Sequence, residues 1–176
     1  MSQLLTKMLG YKWIIKDQDK HEECGTVGYN AEVIPSAVKV KLLILIQNSV
    51  FSCKNWKQSS SLPAVLLQKM LLAMKLDQDQ DIYIKNVTAE DDYCVLNSII
   101  KTVCCPKAIC LFGNNFIQSS FIPDLAVNKL RNLDLSYKNI PIFVTYSINY
   151  ILRNPQIKKI VWEDLQKIMK VLNIKY

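Results

Sequence analysis

Histidine is nearly absent from this sequence: one of the 176 residues is a histidine, His21, and it lies in a charged stretch where a solvated role is expected. No apolar run approaches the roughly 18 residues that a membrane-spanning helix needs. The first residues, MSQLLTKMLGYKW, are interrupted by Lys7 and Gly10 and lack a small-residue cleavage site, so they do not read as a signal peptide. We therefore expect a cytoplasmic protein without membrane contact.

Metal-binding spacing of cysteines is also missing. None of the six cysteines forms a Cys-x-x-Cys pair, the spacing typical of structural zinc sites. Four of the six lie within apolar runs, where a free cysteine behaves as a small hydrophobic residue. A disulfide framework is not expected in a reducing cytosol. We predict no metal site and no cofactor.

Positive charge is in excess, and it comes mostly from lysine. The formal net charge is +7, which favours nucleic acid or acidic partners. The lysines are spread along the chain and mark no single basic segment, so direct contact with DNA stays open at this point.

The first 26 residues differ in composition from the rest. Residues 17–26 are mostly polar and charged, as in a flexible linker. They separate a short apolar segment, residues 1–16, from a body at residues 27–176. The segment is too short to have its own core, so it docks either on another protein or back on the body. We expect a partner-binding role for its large apolar residues, which are Leu4, Leu5, Leu9, Trp13 and Ile15.

The body alternates predicted strands and helices. The strands are expected at 38–46, 81–87, 108–112 and 141–146, and the first of them ends in the continuous apolar run typical of a buried parallel strand. The helix predicted from Pro63 to Leu76 is apolar on most sides and should be well buried. The sequence thus predicts an α/β protein, a three-layer α/β/α arrangement with a central, mostly parallel four-stranded sheet.

Chemistry in such a fold is expected where the strands end, in loops at 47–61, 86–92, 113–116 and 147–154. The first loop holds no acidic residue. Ser49 and Ser147 have no histidine or aspartate beside them to make a nucleophile. Asp91 and Asp92 are better explained as carboxylates at a helix start. From the residues in these loops, we therefore predict no catalytic group.

Three stretches resemble the iron–sulfur-containing uracil-DNA glycosylases: LLQKMLLAMKLDQDQDIYIKNV at 66–87, AICLFG at 108–113 and VTYSINYILRNPQIKKIVWEDLQKIMKVL at 144–172. The resemblance covers most of residues 38–172 and implies a uracil-DNA glycosylase-like fold. The chain keeps the tyrosine of the family's last motif, as Tyr150, but neither the catalytic histidine nor the activating polar residue. The family's Gly-Glu-Ala-Pro-Gly motif falls on Gln47, Asn48 and Ser49, and its His-Pro-x-Tyr motif falls on Ser147, Ile148, Asn149 and Tyr150. The resemblance thus implies degenerate former active-site positions at Gln47, Asn48, Ser49, Ser147, Asn149 and Tyr150.

Two further stretches, LLTKMLGYKWIIKD at 4–17 and AEVIPSAVKVKLLILIQN at 31–48, resemble the psi family of clamp-loader subunits of bacterial DNA polymerase III. That family looks like a uracil-glycosylase fold without an active site. The resemblance implies a non-catalytic adaptor in DNA replication. Its N-terminal segment would bind the clamp-loader ATPase subunits, its globular body would bind the chi subunit, and single-stranded-DNA-binding protein would be reached indirectly through chi.

Two alternatives remain open from the sequence. One is a divergent uracil-DNA glycosylase-like repair enzyme that uses Asn48 or Asn149 to polarise uracil. The other is a nucleic-acid-binding protein that has kept the fold without its chemistry.

Overall fold

The structure, a computed structural model of the chain, describes residues 13–15, 40–47, 56–88, 93–102, 106–114, 116–117 and 125–175. Its strands are β1 (Trp13–Ile15), β2 (Leu42–Gln47), β3 (Ile82–Val87), β4 (Ala108–Phe112), β5 (Leu135–Tyr137) and β6 (Ile140–Thr145). Its helices are α1 (Leu62–Ala73), α2 (Tyr93–Thr102), α3 (Val127–Leu130), α4 (Ile148–Arg153) and α5 (Lys158–Val171), with short 3-10 helices at Trp56–Gln58 and Pro155–Ile157. None of the helices in these ranges has the length and apolarity to cross a membrane.

The strands form one six-stranded sheet in the order β1-β5-β6-β4-β2-β3. Every neighbouring pair is parallel except β5 with β6. The predicted α/β class and the mostly parallel sheet are therefore confirmed. The predicted number of four strands is wrong, because β1 and β5 are three residues each and too short to show a strand period.

The antiparallel pair β5–β6 is closed by a two-residue turn. Lys138 and Asn139 both have positive φ angles, 48° and 63°, the combination that matches the twist of a tight hairpin. Asn-Gly or Asp-Gly usually marks such turns, and neither is present here. The sequence therefore contains no hairpin signal, and β5 is absent from the predicted strands.

The alternation of side chains along the strands builds a core on each face of the sheet. In β2, all six residues are buried, as predicted for a central parallel strand. Its Leu42, Ile44 and Ile46 pack with buried residues of α1, α4 and α5, whereas Leu43 and Leu45 pack with those of α2 and α3 on the other face. Helices thus cover both faces.

The prediction that α1 is well buried holds for one side of the helix only. Ala64, Leu67 and Leu71 face the core and are almost fully buried. Leu62 and Leu72, in contrast, are 72% and 75% exposed. An apolar stripe of this helix therefore faces outward.

The N-terminal segment contributes β1 to the sheet. The backbone of Trp13 pairs with that of Leu135, and the backbone of Ile15 pairs with that of Tyr137. In the described ranges, β1 is thus the edge strand beside β5. Three of the predicted partner-binding residues (Leu4, Leu5 and Leu9) and the linker at 17–26 lie outside the described residues, so the proposed domain boundaries stay a prediction.

A buried ion pair joins α5 to the sheet and to the segment after α3. Arg131 donates from Nε and from a terminal nitrogen to the two carboxylate oxygens of Asp164, at 2.9 and 2.8 Å. Thr145 donates its hydroxyl to the same carboxylate at 3.0 Å, and Arg131 also donates to the carbonyl of Ile160 at 3.0 Å. The Asp164 side chain is 3% exposed. Hydrogen bonding to Asp164 raises the pKa of the Arg131 guanidinium, so the guanidinium stays protonated.

Replacing Asp164 with Asn should destabilise the protein strongly. The amide keeps the shape of the carboxylate but leaves Arg131, 13% exposed, with the exposed carboxylate of Glu163 at 3.9 Å in place of its two-point ion pair with Asp164. We expect the free energy of unfolding to fall by roughly 3–5 kcal/mol, as when one partner of a buried pair is removed. Urea unfolding followed by circular dichroism measures this change.

The matched control is Asp79→Asn, because Asp79 is 78% exposed and forms a surface ion pair with Lys57. That variant should lose no more than about 1 kcal/mol. Equal losses in the free energy of unfolding for the two variants would show that the buried pair stabilises the protein no more than the surface pair does.

Candidate functional site

A pocket of about 410 Å³ opens at the carboxyl ends of β2, β4 and β6. The register aligns Ile46 with Phe112 and Phe112 with Thr145, so the residues at and after these strand ends come together. This is the edge at which ligands bind in open parallel sheets. The described lining consists of Gln47, Gly113, Asn114, Val127, Tyr146, Ser147, Asn149 and Tyr150.

The floor of the pocket depends on a close approach between Gln47 and Gly113. Gln47 is a buried polar residue, 7% exposed. A Cβ atom on Gly113 would lie 2.8 Å from the Oε1 atom of Gln47, and Gly113 has a φ of +114°. The amide N–H of Gly113 also donates to the carbonyl of Thr145 at 3.0 Å. Glycine is therefore required here for both space and backbone conformation.

The wall of the pocket is made by α4. The hydroxyl of Ser147 accepts a hydrogen bond from the backbone N–H of Tyr150 at 3.3 Å and thereby caps this helix. The rings of Tyr146 and Tyr150 are stacked, with centroids 5.4 Å apart and planes at 17°. The expectation of a loop at 147–154 is wrong, since Ile148–Arg153 is helical. The segment is too short for an apolar period to reveal it.

The structure brings four of the six predicted former active-site positions to the pocket: Gln47, Ser147, Asn149 and Tyr150. The other two, Asn48 and Ser49, lie outside the described residues. Sequence reasoning missed Val127 as a lining residue, because α3 has four residues and no readable pattern. Asn114, in contrast, follows β4 directly, and the carboxyl-end rule pointed to its loop.

The described lining of the pocket is electrically neutral. It offers amides, hydroxyls and aromatic rings, and it holds no Asp, Glu, His, Cys, Lys or Arg. These groups can donate and accept hydrogen bonds, but general acid–base catalysis needs a group whose pKa lies near the working pH. Nor do three or more His, Cys, Asp or Glu side chains gather into a metal-binding group anywhere in the described ranges.

Cys110 lies inside β4, and its thiol is free and buried. It is 1% exposed, and burial raises the pKa of its thiol, with a smaller contribution from the charge of Asp164. The thiol therefore stays protonated and unreactive. For this cysteine, the predicted role as a small hydrophobic residue is confirmed.

The sequence matches no protein-family model, and no curated protein matches it. A family for this chain is thus suggested only by the short stretches quoted above, and its function is a matter of proposal.

Replacing Gly113 with Ala tests the geometry of the pocket floor. The added Cβ meets the Gln47 side chain and forces a non-glycine residue into a strained φ, so we expect a loss of about 1–3 kcal/mol in the free energy of unfolding. Urea unfolding gives the value.

The double variant Gly113→Ala, Gln47→Ala separates the two effects. It removes the 2.8 Å contact with the Oε1 atom of Gln47, but it keeps the backbone strain and the Cβ atom of residue 47, which would lie 3.2 Å from the added Cβ, so part of the loss should persist relative to Gln47→Ala alone. A Gly113→Ala variant as stable as the parent would contradict the geometry described here.

Proposed function

We propose that this protein is a non-catalytic adaptor of the bacterial replicative DNA polymerase III clamp-loader complex, similar to the psi subunit and built on a uracil-DNA glycosylase-like scaffold. One observation carries the proposal. At the strand ends, where the resemblance places an active site, the described side chains form a pocket without an Asp, Glu, His, Cys, Lys or Arg.

Cleavage of the bond between a base and its sugar needs a group that activates water and a donor that stabilises the departing base. Ser147 occupies the position that corresponds to the family's histidine, and its hydroxyl already accepts the N–H of Tyr150 as a helix cap. Gln47 has an amide where an activating residue would stand. An amide cannot take a proton from water at neutral pH. These features support a scaffold without catalysis.

The N-terminal segment, whose strand lies at one end of the described strand order, also supports the adaptor role. In the strand order, β1 is the last described strand beside β5. A strand at a sheet edge offers backbone groups to a partner, and such addition is a common way to bind extended segments. Trp13 and Ile15 lie in this strand. The segment can therefore join the body and still contact the clamp-loader ATPase subunits.

Replacing Trp13 with Ala should weaken binding to the clamp-loader ATPase subunits by roughly 2–4 kcal/mol, because a buried Trp is a frequent interface anchor. The body should stay folded. Isothermal titration with the purified loader measures the affinity, and circular dichroism reports the fold.

The matched control is Ile14→Ala. Ile14 is the neighbouring apolar residue that is not among the proposed anchors, so this variant should bind almost as well as the parent. Unchanged affinity of the Trp13→Ala variant would contradict the proposed anchor.

An assay on a uracil-containing single-stranded oligonucleotide tests the absence of chemistry. We expect no release of uracil above the rate without protein, because no described pocket residue is an Asp, Glu or His that could activate water. Release of uracil that disappears in Asn48→Ala or Asn149→Ala would instead establish the glycosylase alternative. A protein preparation of Asn149→Ala with an unchanged unfolding midpoint serves as the folding control.

A further inference from the structure

The helix α1 has an unusual composition for a helix with an exposed side. Its 12 residues, LPAVLLQKMLLA, include one charged residue, Lys69, and no acidic residue. A helix at the surface normally carries polar and charged residues on its outward face, and one that is apolar all round is normally covered. The composition of α1 is thus that of a helix covered on both sides.

The residues that point away from the core form one stripe along α1. At 3.6 residues per turn, positions 62, 65, 69, 72 and 73 lie opposite the buried side of the helix. We name this set, Leu62, Val65, Lys69, Leu72 and Ala73, the outer stripe. Leu62 and Leu72 at its two ends are the most exposed large apolar residues in the described chain.

Lys69 lies at the middle of the outer stripe. Among the described residues, it forms no salt bridge, whereas the neighbouring Lys57 is paired with Asp79. The flank of α1 is held in place by Gln68, whose amide donates to the carbonyls of Trp56 and Lys57 at 3.1 and 3.0 Å. The outer stripe is therefore a preformed apolar surface with a single positive charge at its centre.

We propose that the outer stripe is the surface through which the body of this protein binds another protein, and that the bound segment is an apolar helix with a carboxylate opposite Lys69. The inference rests on the proposed adaptor function, because an adaptor needs a second interface besides its N-terminal segment. Docking would cover Leu62 and Leu72 and would pair the ammonium group of Lys69, which a purely apolar partner would leave unpaired.

The central position of Lys69 argues against a second copy of this chain as the occupant. If two α1 helices packed antiparallel about a two-fold axis, each outer stripe would face itself, and both Lys69 ammonium groups would lie near the axis. Like charges brought together at an interface oppose association. A different protein that supplies Asp or Glu satisfies both the apolar residues and the charge.

Photo-crosslinking tests the proposal in the full chain. A benzoylphenylalanine is placed at position 72 and the protein is irradiated in the cells that make it. The control carries the same probe at position 170, an exposed site on α5. We expect position 72, and not position 170, to form an adduct with one other protein, at a peptide with helical apolar spacing and an Asp or Glu.

Charge exchange then tests the pairing. Lys69→Glu should reduce the adduct at position 72 by about tenfold or more, which corresponds to about 1.4 kcal/mol, and changing the partner's carboxylate to Lys should restore it. Lys69 is exposed, so an unchanged unfolding midpoint of the variant shows that folding is not the cause.

Several results would overturn the inference: an adduct within the same chain, an adduct between two copies, no adduct above the control, or an adduct insensitive to Lys69→Glu. The proposed function is judged separately. If the adduct forms with a protein outside the clamp-loader complex and titration shows no loader binding, the surface is correct and the adaptor assignment fails. If the loader binds but position 72 gives no adduct, the adaptor assignment is supported and the proposed surface is wrong.

Discussion

The buried ion pair between Arg131 and Asp164 holds together the parts of the fold that shape the pocket. Asp164 lies on α5 and Arg131 lies 33 residues earlier, just after α3. The same carboxylate accepts the hydroxyl of Thr145, the last residue of β6. One carboxylate therefore sets the position of α5, of the end of β6 and of the segment that carries Val127 into the pocket. Two charges taken out of water are stable together only with this near-complete set of hydrogen bonds, so the three elements are held in one arrangement.

That ionic network lies beside a pocket without charge. Tyr146 and Ser147 follow Thr145 directly. Arg131 and Asp164, however, are hydrogen-bonded to each other, and Arg131 also donates to a backbone carbonyl. The pocket is thus polar through its amides and hydroxyls alone. The close packing of Gln47 against Gly113 shows that the strand ends are specifically shaped, although the described lining holds no Asp, Glu, His, Cys, Lys or Arg. Such a shaped, uncharged pocket is one of the observations on which the proposed adaptor function rests.

The sequence predicted the parts of the fold that leave a local pattern. The buried run of β2, LLILIQ, and the five apolar residues of β4, AICLF, are readable because parallel strands are covered on both faces. The three-residue β5 has no such pattern. Its place depends on the turn at Lys138 and Asn139, which have positive φ angles although neither is a glycine. The contact of Arg131 with Asp164 is a product of tertiary structure and has no local signal.

The candidate site was predictable to a similar degree. Strand order brings the residues at strand ends together, so Gln47, Ser147, Asn149 and Tyr150 converge as the carboxyl-end rule requires. The rule says nothing about what enters from elsewhere, and Val127 comes from a four-residue helix. The stacking of Tyr146 on Tyr150 likewise depends on the helical turn between them. The six-residue α4 is too short for an apolar period that would predict this turn.

The mismatch at α1 between composition and exposure shows where sequence and structure disagree most. Its sequence is that of a covered helix, and its inner side does bury Ala64, Leu67 and Leu71. A single folded domain has no need of leucines on the far side, because exposed apolar side chains weaken solubility without adding to the core. The exposed leucines and the central lysine are the observations on which the proposed second surface rests.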